Sequence, residues 1–120
     1  MCPSRIRYFT LSQVTIAKEV RSILLSDLSQ NHTARELAER FQIGETSLKN
    51  YFRGVFGENL SAWLRETRMR RAAELLRDTD LRVAEIAEQV GYENQSKFAA
   101  VFTRQFGCPP LEYRRMSRLK

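Results

Sequence analysis

With 120 residues, 42% of them apolar, the chain is long enough for one compact domain or two very small ones, and too short for most barrels and two-domain enzymes. Twenty Lys and Arg against 14 Asp and Glu leave a formal charge of +6, which points to a polyanionic partner. The excess is local, because in residues 97–120 Lys97, Arg104, Arg114, Arg115, Arg118 and Lys120 face Glu112 alone.

Two cysteines, Cys2 and Cys108, cannot build a disulfide framework and fall in no CxxC or Cys/His cluster, so neither zinc nor any other metal or cofactor is expected and the thiols read as reduced and cytosolic. The longest apolar run, Phe98 to Phe102, is far too short for a membrane span, and no leader pattern follows Met1. His32 has no carboxylate or thiol partner at catalytic spacing, and no P-loop, dinucleotide motif or nucleophile constellation is present. The chain reads as cytoplasmic, associated with the nucleoid, and not an enzyme. The Asn-x-Ser/Thr triplets at Asn31, Asn59 and Asn94 fall where helices should start and read as caps.

Apolar residues recur at helical spacing between sparse Gly and Pro, which predicts an all-α fold of about seven helices. Residues 1–9 read as a tether. Thr10-Leu-Ser-Gln has capping-box form and opens a first helix whose inward face is Val14, Ile16, Ala17, Val20, Ile23, Leu24 and Leu28. A second box, Thr33 to Glu36, starts a short helix with Leu37, Ala38 and Phe41 inward. After a turn at 42–44, another helix carries Leu48, Tyr51, Phe52, Val55 and Phe56 and stops at Gly57. Asn59 caps a long helix to about Arg77, roughly 28 Å at 1.5 Å per residue. A break at Asp78-Thr-Asp80 leads to a short helix ending at Val90, a turn at Gly91 to Asn94, a helix from Gln95 to Phe106, and a last one opened by Pro110. The domains then read as 10–57, a linker helix 58–77, and 78–120 with its basic tail.

The two halves repeat. At an offset of 49, Glu36, Leu37, Ala38 and Glu39 match Glu85, Ile86, Ala87 and Glu88; at an offset of 50, Leu48, Phe52, Phe56 and Gly57 match Phe98, Phe102, Phe106 and Gly107, so the second turn is one residue longer. A short helix with a central Ala, a tight turn and a second amphipathic helix is helix-turn-helix form. Ala38 and Ala87 permit a close helix crossing, and Gly91 supplies a left-handed turn residue. Two such units on a linker of about 28 Å suit successive major grooves about 34 Å apart, so one molecule could read a site usually read by a dimer.

These residues resemble the DNA-binding domain of the AraC/XylS family of transcriptional regulators, over about residues 12 to 115. The resemblance rests on Leu37-Ala38-Glu39, Glu45-Thr-Ser-Leu48, Phe52, Phe56-Gly57, Arg68-Met69, Ala72 and Leu75-Leu76. It is most specific from Glu85-Ile-Ala87 through Gly91-Tyr-Glu-Asn-Gln-Ser96 to Phe98, Phe102, Phe106-Gly107, Pro110 and Tyr113-Arg114. It implies a bacterial regulator with two helix-turn-helix units, binding promoters as double-stranded DNA beside RNA polymerase. Such families often carry a separate sensing and dimerising domain, so this chain reads either as a stand-alone regulator or, favoured by the tether before Thr10, as a monomeric C-terminal part of a longer, dimeric one. Two departures stand out. Gln42 and Gly44 replace the usual Gly then Ser of the first turn, at a cost of about 1 kcal/mol if Gln42 is left-handed. Arg82 replaces the usual Ser/Thr cap, leaving Asp80 or water to serve the amides.

In the first recognition helix Thr46, Lys49, Asn50 and Arg53 should face outward, and Thr46, Lys49 and Asn50 match positions through which the family reads bases. Asn can bond adenine bidentately, Lys can donate to guanine and Thr can touch a thymine methyl; Arg53 suits phosphate. Each equally fits a solvated helix face. The matching set in the second helix is Gln95, Ser96, Lys97, Ala99 and Ala100. Here the two alanines cannot bond bases, so readout should rest on the N-terminal turn, led by Gln95. Ser96 fits a cap or turn-packing role better than base contact. Lys97 and Arg104 suit phosphates; Arg114 and Arg115 suit phosphate or the last helix's C-terminus.

The phenylalanine series has core spacing rather than that of an exposed stacking platform, and Trp63 and Tyr113 read as packing residues. Around the linker helix, Arg65, Arg68, Arg70 and Arg71 include the i,i+4 pairs Glu66 to Arg70 and Arg70 to Glu74. Three functions compete: a sequence-specific DNA-binding regulator, a helical module docking an acidic protein, and a sequence-blind architectural DNA binder.

Overall fold

A computed structural model describes residues 10–119. The predicted tether, residues 1–9, lies outside the described residues. Among those described there are seven helices and no strand: α1 (Leu11–Ser26), α2 (Ala34–Arg40), α3 (Glu45–Phe56), α4 (Leu60–Asp78), α5 (Val83–Gln89), α6 (Gln95–Phe106) and α7 (Pro110–Ser117). They divide into two compact units within α4, between Leu64 and Arg65.

In the first unit both predicted capping boxes form. Thr10 Oγ1 accepts from the Gln13 amide at 3.1 Å while Gln13 Oε1 accepts from the Thr10 amide at 2.9 Å; Thr33 and Glu36 repeat the exchange at 3.0 and 2.9 Å. Thr33, not Asn31, therefore starts α2. α1 stops earlier than its apolar period suggests. Asp27 is its C-cap and its carboxylate accepts from the amide and hydroxyl of Ser29, so Leu28 lies beyond the helix, half-buried. The core joins Val20 and Leu24 of α1 to Leu37 and Ala38 of α2, Leu48 and Phe52 of α3, and Leu60 of α4. The Phe52 ring meets Phe56 at 4.7 Å and Trp63 at 5.3 Å between centroids, and the Arg21 guanidinium lies 4.5 Å over Phe56.

The turn after α2 closes on the backbone carbonyl of Ala38 and sets the conformation of Gln42. The Ile43 amide donates to Ala38 O and the Gln42 amide to Glu39 O, a Schellman closure that needs a left-handed residue just before Ile43. Gln42 fills that place at φ 58°, as expected from its position. Gln42→Gly should therefore raise stability by about 0.5–1 kcal/mol, the left-handed penalty less the entropy of a new glycine, read as a higher urea midpoint with unchanged slope.

The second unit builds the same closure on glycine: Tyr92 donates to Ala87 O at 2.8 Å, Gly91 donates to Glu88 O at 3.1 Å, and Gly91 has φ 92°. Residues 90–94 separate α5 from α6 where 41–44 separate α2 from α3, giving the second turn its predicted extra residue. Gly57 and Gly107 end α3 and α6 in the same left-handed conformation, φ 82°. The core gathers Met69, Ala72, Ala73, Leu75 and Leu76 of α4 with Ile86, Ala87, Val90, Phe98 and Phe102. α4 is thus more than a connecting rod: its first turns complete one core and the rest forms part of the other.

One helix end differs from expectation and one agrees with it. Arg82 offers no acceptor at the start of α5; Glu85 Oε1 accepts the Arg82 amide at 2.9 Å, and Asp80 instead pairs with Arg118 at 3.0 Å. Asn59 caps α4 through the Ala62 amide at 2.8 Å, as predicted.

Candidate nucleic-acid interface

Burial of Leu48 and Phe52 fixes the rotation of α3, and the opposite face carries Thr46, Lys49, Asn50 and Arg53, all exposed. Lys49 Nζ lies 3.0 Å from Glu45 Oε2, one helical turn back, with both side chains about half exposed. This pair is an ordinary exposed i,i+4 contact that a stronger acceptor can replace.

Phe98 and Phe102 fix α6 in the same way, leaving Gln95, Ser96, Lys97, Ala100 and Arg104 exposed and Ala99 half-buried. Asn94 caps α6 as expected, its Oδ1 accepting the Lys97 amide at 3.0 Å, so Ser96 holds no cap and stays on the exposed first turn.

Arg115 is exposed, but Arg114 is used inside the protein. Its Nε donates to Leu76 O at 2.9 Å and its Nη2 to Thr79 O and Leu81 O at 3.0 and 2.7 Å, so its guanidinium serves carbonyls at and beyond the end of α4 rather than a phosphate. Arg118 adds bonds to Arg77 O, Thr79 O and Asp80. This clamp leaves no local signature in the sequence, because its carbonyls lie more than thirty residues back along the chain.

The arginines of α4 pair differently from the predicted i,i+4 pattern. Arg71 pairs with Glu74 at 3.0 Å and Arg70 points to Thr67 Oγ1. Arg68 is buried at 9% exposure, and burial pushes its pKa down while the nearby Tyr92 phenol opposes the shift; burial pushes Tyr92 up, opposed by Arg68 and Arg65. The helical period Leu64, Arg68, Ala72, Leu75 is the sequence signal for the burial of Arg68.

A family model described as a helix-turn-helix domain matches residues 37–116. The chain is 30% identical to the HTH-type transcriptional activator RhaR of Enterobacter sp. (strain 638), over 98% of this chain and 44% of that protein. It is 36% identical to RhaR of Yersinia pseudotuberculosis over 79% of this chain and 33% of that protein. The chain therefore spans less than half the length of these curated relatives. Among solved structures, it resembles the C-terminal domain of AraT, a response regulator from Geobacillus stearothermophilus, at TM-score 0.82 and 32% identity, covering 88% of each chain. It also resembles the DNA-binding domain of AdpA, a global transcriptional factor solved in complex with a target DNA, at TM-score 0.80 and 28% identity, over 85% of this chain and 92% of that one. With two helix-turn-helix units closed on Ala38 and Ala87 and a matching model across both, the chain belongs to the AraC/XylS family, as its helix-turn-helix DNA-binding domain.

Proposed function

We propose that this domain binds double-stranded DNA sequence-specifically as part of a transcriptional regulator, with α3 and α6 each entering a major groove of one continuous site. The observation that carries this reading is the exposed row Thr46, Lys49 and Asn50 on α3, opposite the buried Leu48 and Phe52 and behind a tight Schellman turn. The DNA-bound AdpA neighbour and the transcriptional activators among the relatives support it. Affinity comes chiefly from cations on phosphates, with Arg53, Lys97, Arg104 and Arg115 available and Arg114 withdrawn; specificity comes from base edges. Thr46, Lys49 and Asn50 are the main readers, and Gln95 and Ser96 read less because Ala99 and Ala100 follow them. The proposed setting is a promoter, where RNA polymerase is the neighbour.

On a duplex that the chain prefers, Lys49→Ala combined with Asn50→Ala should reduce discrimination against scrambled duplex by roughly tenfold to a hundredfold, the value of one good base contact or more. Arg53→Ala should weaken binding to both duplexes alike. Titrations of preferred and scrambled duplex with each variant measure this. A Lys49/Asn50 double variant that keeps full preference refutes base reading by α3.

A further inference from the structure

We propose that the groove formed in the second unit by Arg65, Glu66, Val101, Arg104 and Gln105 seats a backbone phosphate of the DNA held by α6, an inference that rests on the DNA-binding reading above. The groove holds about 260 Å3, and Arg65, Arg104 and Gln105 are all exposed along it. Among the described residues neither arginine is in an ion pair, so both guanidinium forks are available for the bidentate geometry that phosphate oxygens accept.

The repeat shows that this charge is no requirement of the fold. Aligning the buried residues Ala17, Val20 and Leu24 of α1 with Met69, Ala72 and Leu76 of α4 sets Gln13 against Arg65. Aligning Phe52 with Phe102 sets Tyr51 against Val101 and Gly54 against Arg104. In the first unit this place is uncharged, with Gln13 Nε2 donating to Tyr51 Oη at 3.3 Å across it and no side chain at 54. The second copy has an arginine at two of those three places.

A DNA phosphate fits better than an acidic protein because the groove continues the exposed side of α6. Arg104 lies two turns beyond Lys97, with Ala100 between them. The short alanines let the helix approach DNA closely but offer bases no hydrogen bond, so this unit must hold DNA largely through phosphates. Gln105 adds an uncharged donor, and Glu66 on the rim opposes the anion, which supplies a control of opposite sign.

The test titrates duplex DNA with the full chain and with Arg65→Ala, Arg104→Ala and Glu66→Gln across a salt series. Each arginine variant should lose roughly tenfold affinity on preferred and scrambled duplexes alike and flatten the log affinity against log salt slope by about 1, while Glu66→Gln binds more tightly. Urea midpoints should stay at the parent value, since all three side chains are exposed. If the parent chain binds DNA but the arginine variants match its affinity and slope, the phosphate seat is wrong while the DNA-binding reading stands, and an acidic peptide becomes the fitting occupant. If the parent chain binds no DNA, both fall.

Discussion

Phe102→Ala should destabilise the second unit by about 3–5 kcal/mol, the usual cost of emptying a buried phenylalanine site. Phe102 is 0% exposed, and its ring lies 5.9 Å from Phe98, 4.5 Å from Phe106 and 5.4 Å from Tyr113, so the space it leaves is lined by rings that cannot collapse into it without leaving their own contacts. Because Phe102 anchors the buried side of α6, the same change loosens the helix that presents Gln95 and Lys97. Urea unfolding gives the size of the loss, and amide hydrogen exchange should locate it in α5 to α7. Phe102→Leu, which refills most of the space, should cost less than half as much. An alanine variant within 1 kcal/mol of the parent would mean that this ring cluster is not the core of the unit.

Arg114→Met should cost about 2–4 kcal/mol. Methionine keeps the apolar stem but removes the donors to the carbonyls of Leu76, Thr79 and Leu81, which are part-buried and have left the helical ladder of α4. Arg114→Lys should recover only part of this, because an ammonium cannot span the three acceptors as the planar guanidinium does. Arg118→Ala is the comparison: its partner Asp80 is 93% exposed at the side chain, and the loss should stay near or below 1 kcal/mol. Denaturant melts of the three variants measure the order. Equal losses for Arg114→Met and Arg118→Ala would remove the distinction between the buried clamp and its exposed neighbour.

The parts of this fold legible in sequence were those written in local chemistry. Thr10 with Gln13 and Thr33 with Glu36 name their helix starts because each box closes within four residues, and Gly57, Gly91 and Gly107 name their turns because a left-handed φ favours glycine. Gln42 was legible through the family resemblance, which has glycine at that turn position, against its own preference. Leu28 was misjudged because the apolar period runs on past α1 while Asp27 and Ser29 form a turn there. Arg114 was misjudged for a different reason: a basic side chain reads as solvent-facing until tertiary structure supplies carbonyls around it, and the burial of Arg68, signalled only by its helical period, was likewise not expected. The outward rows of α3 and α6 followed directly from locating the Phe positions, so the candidate interface was visible in sequence although its groove at Arg65 and Arg104 was not.

The central claim is that this domain reads DNA sequence with two helices. Selection of binders from randomised duplexes, with the purified chain at near-physiological salt, tests it most directly. The account predicts enrichment of two sequence blocks whose centres lie about 10 bp apart, the repeat of successive major grooves. Salt-sensitive binding without any enriched sequence would contradict it and leave a sequence-blind DNA binder, and no binding at all would leave a module for an acidic protein partner.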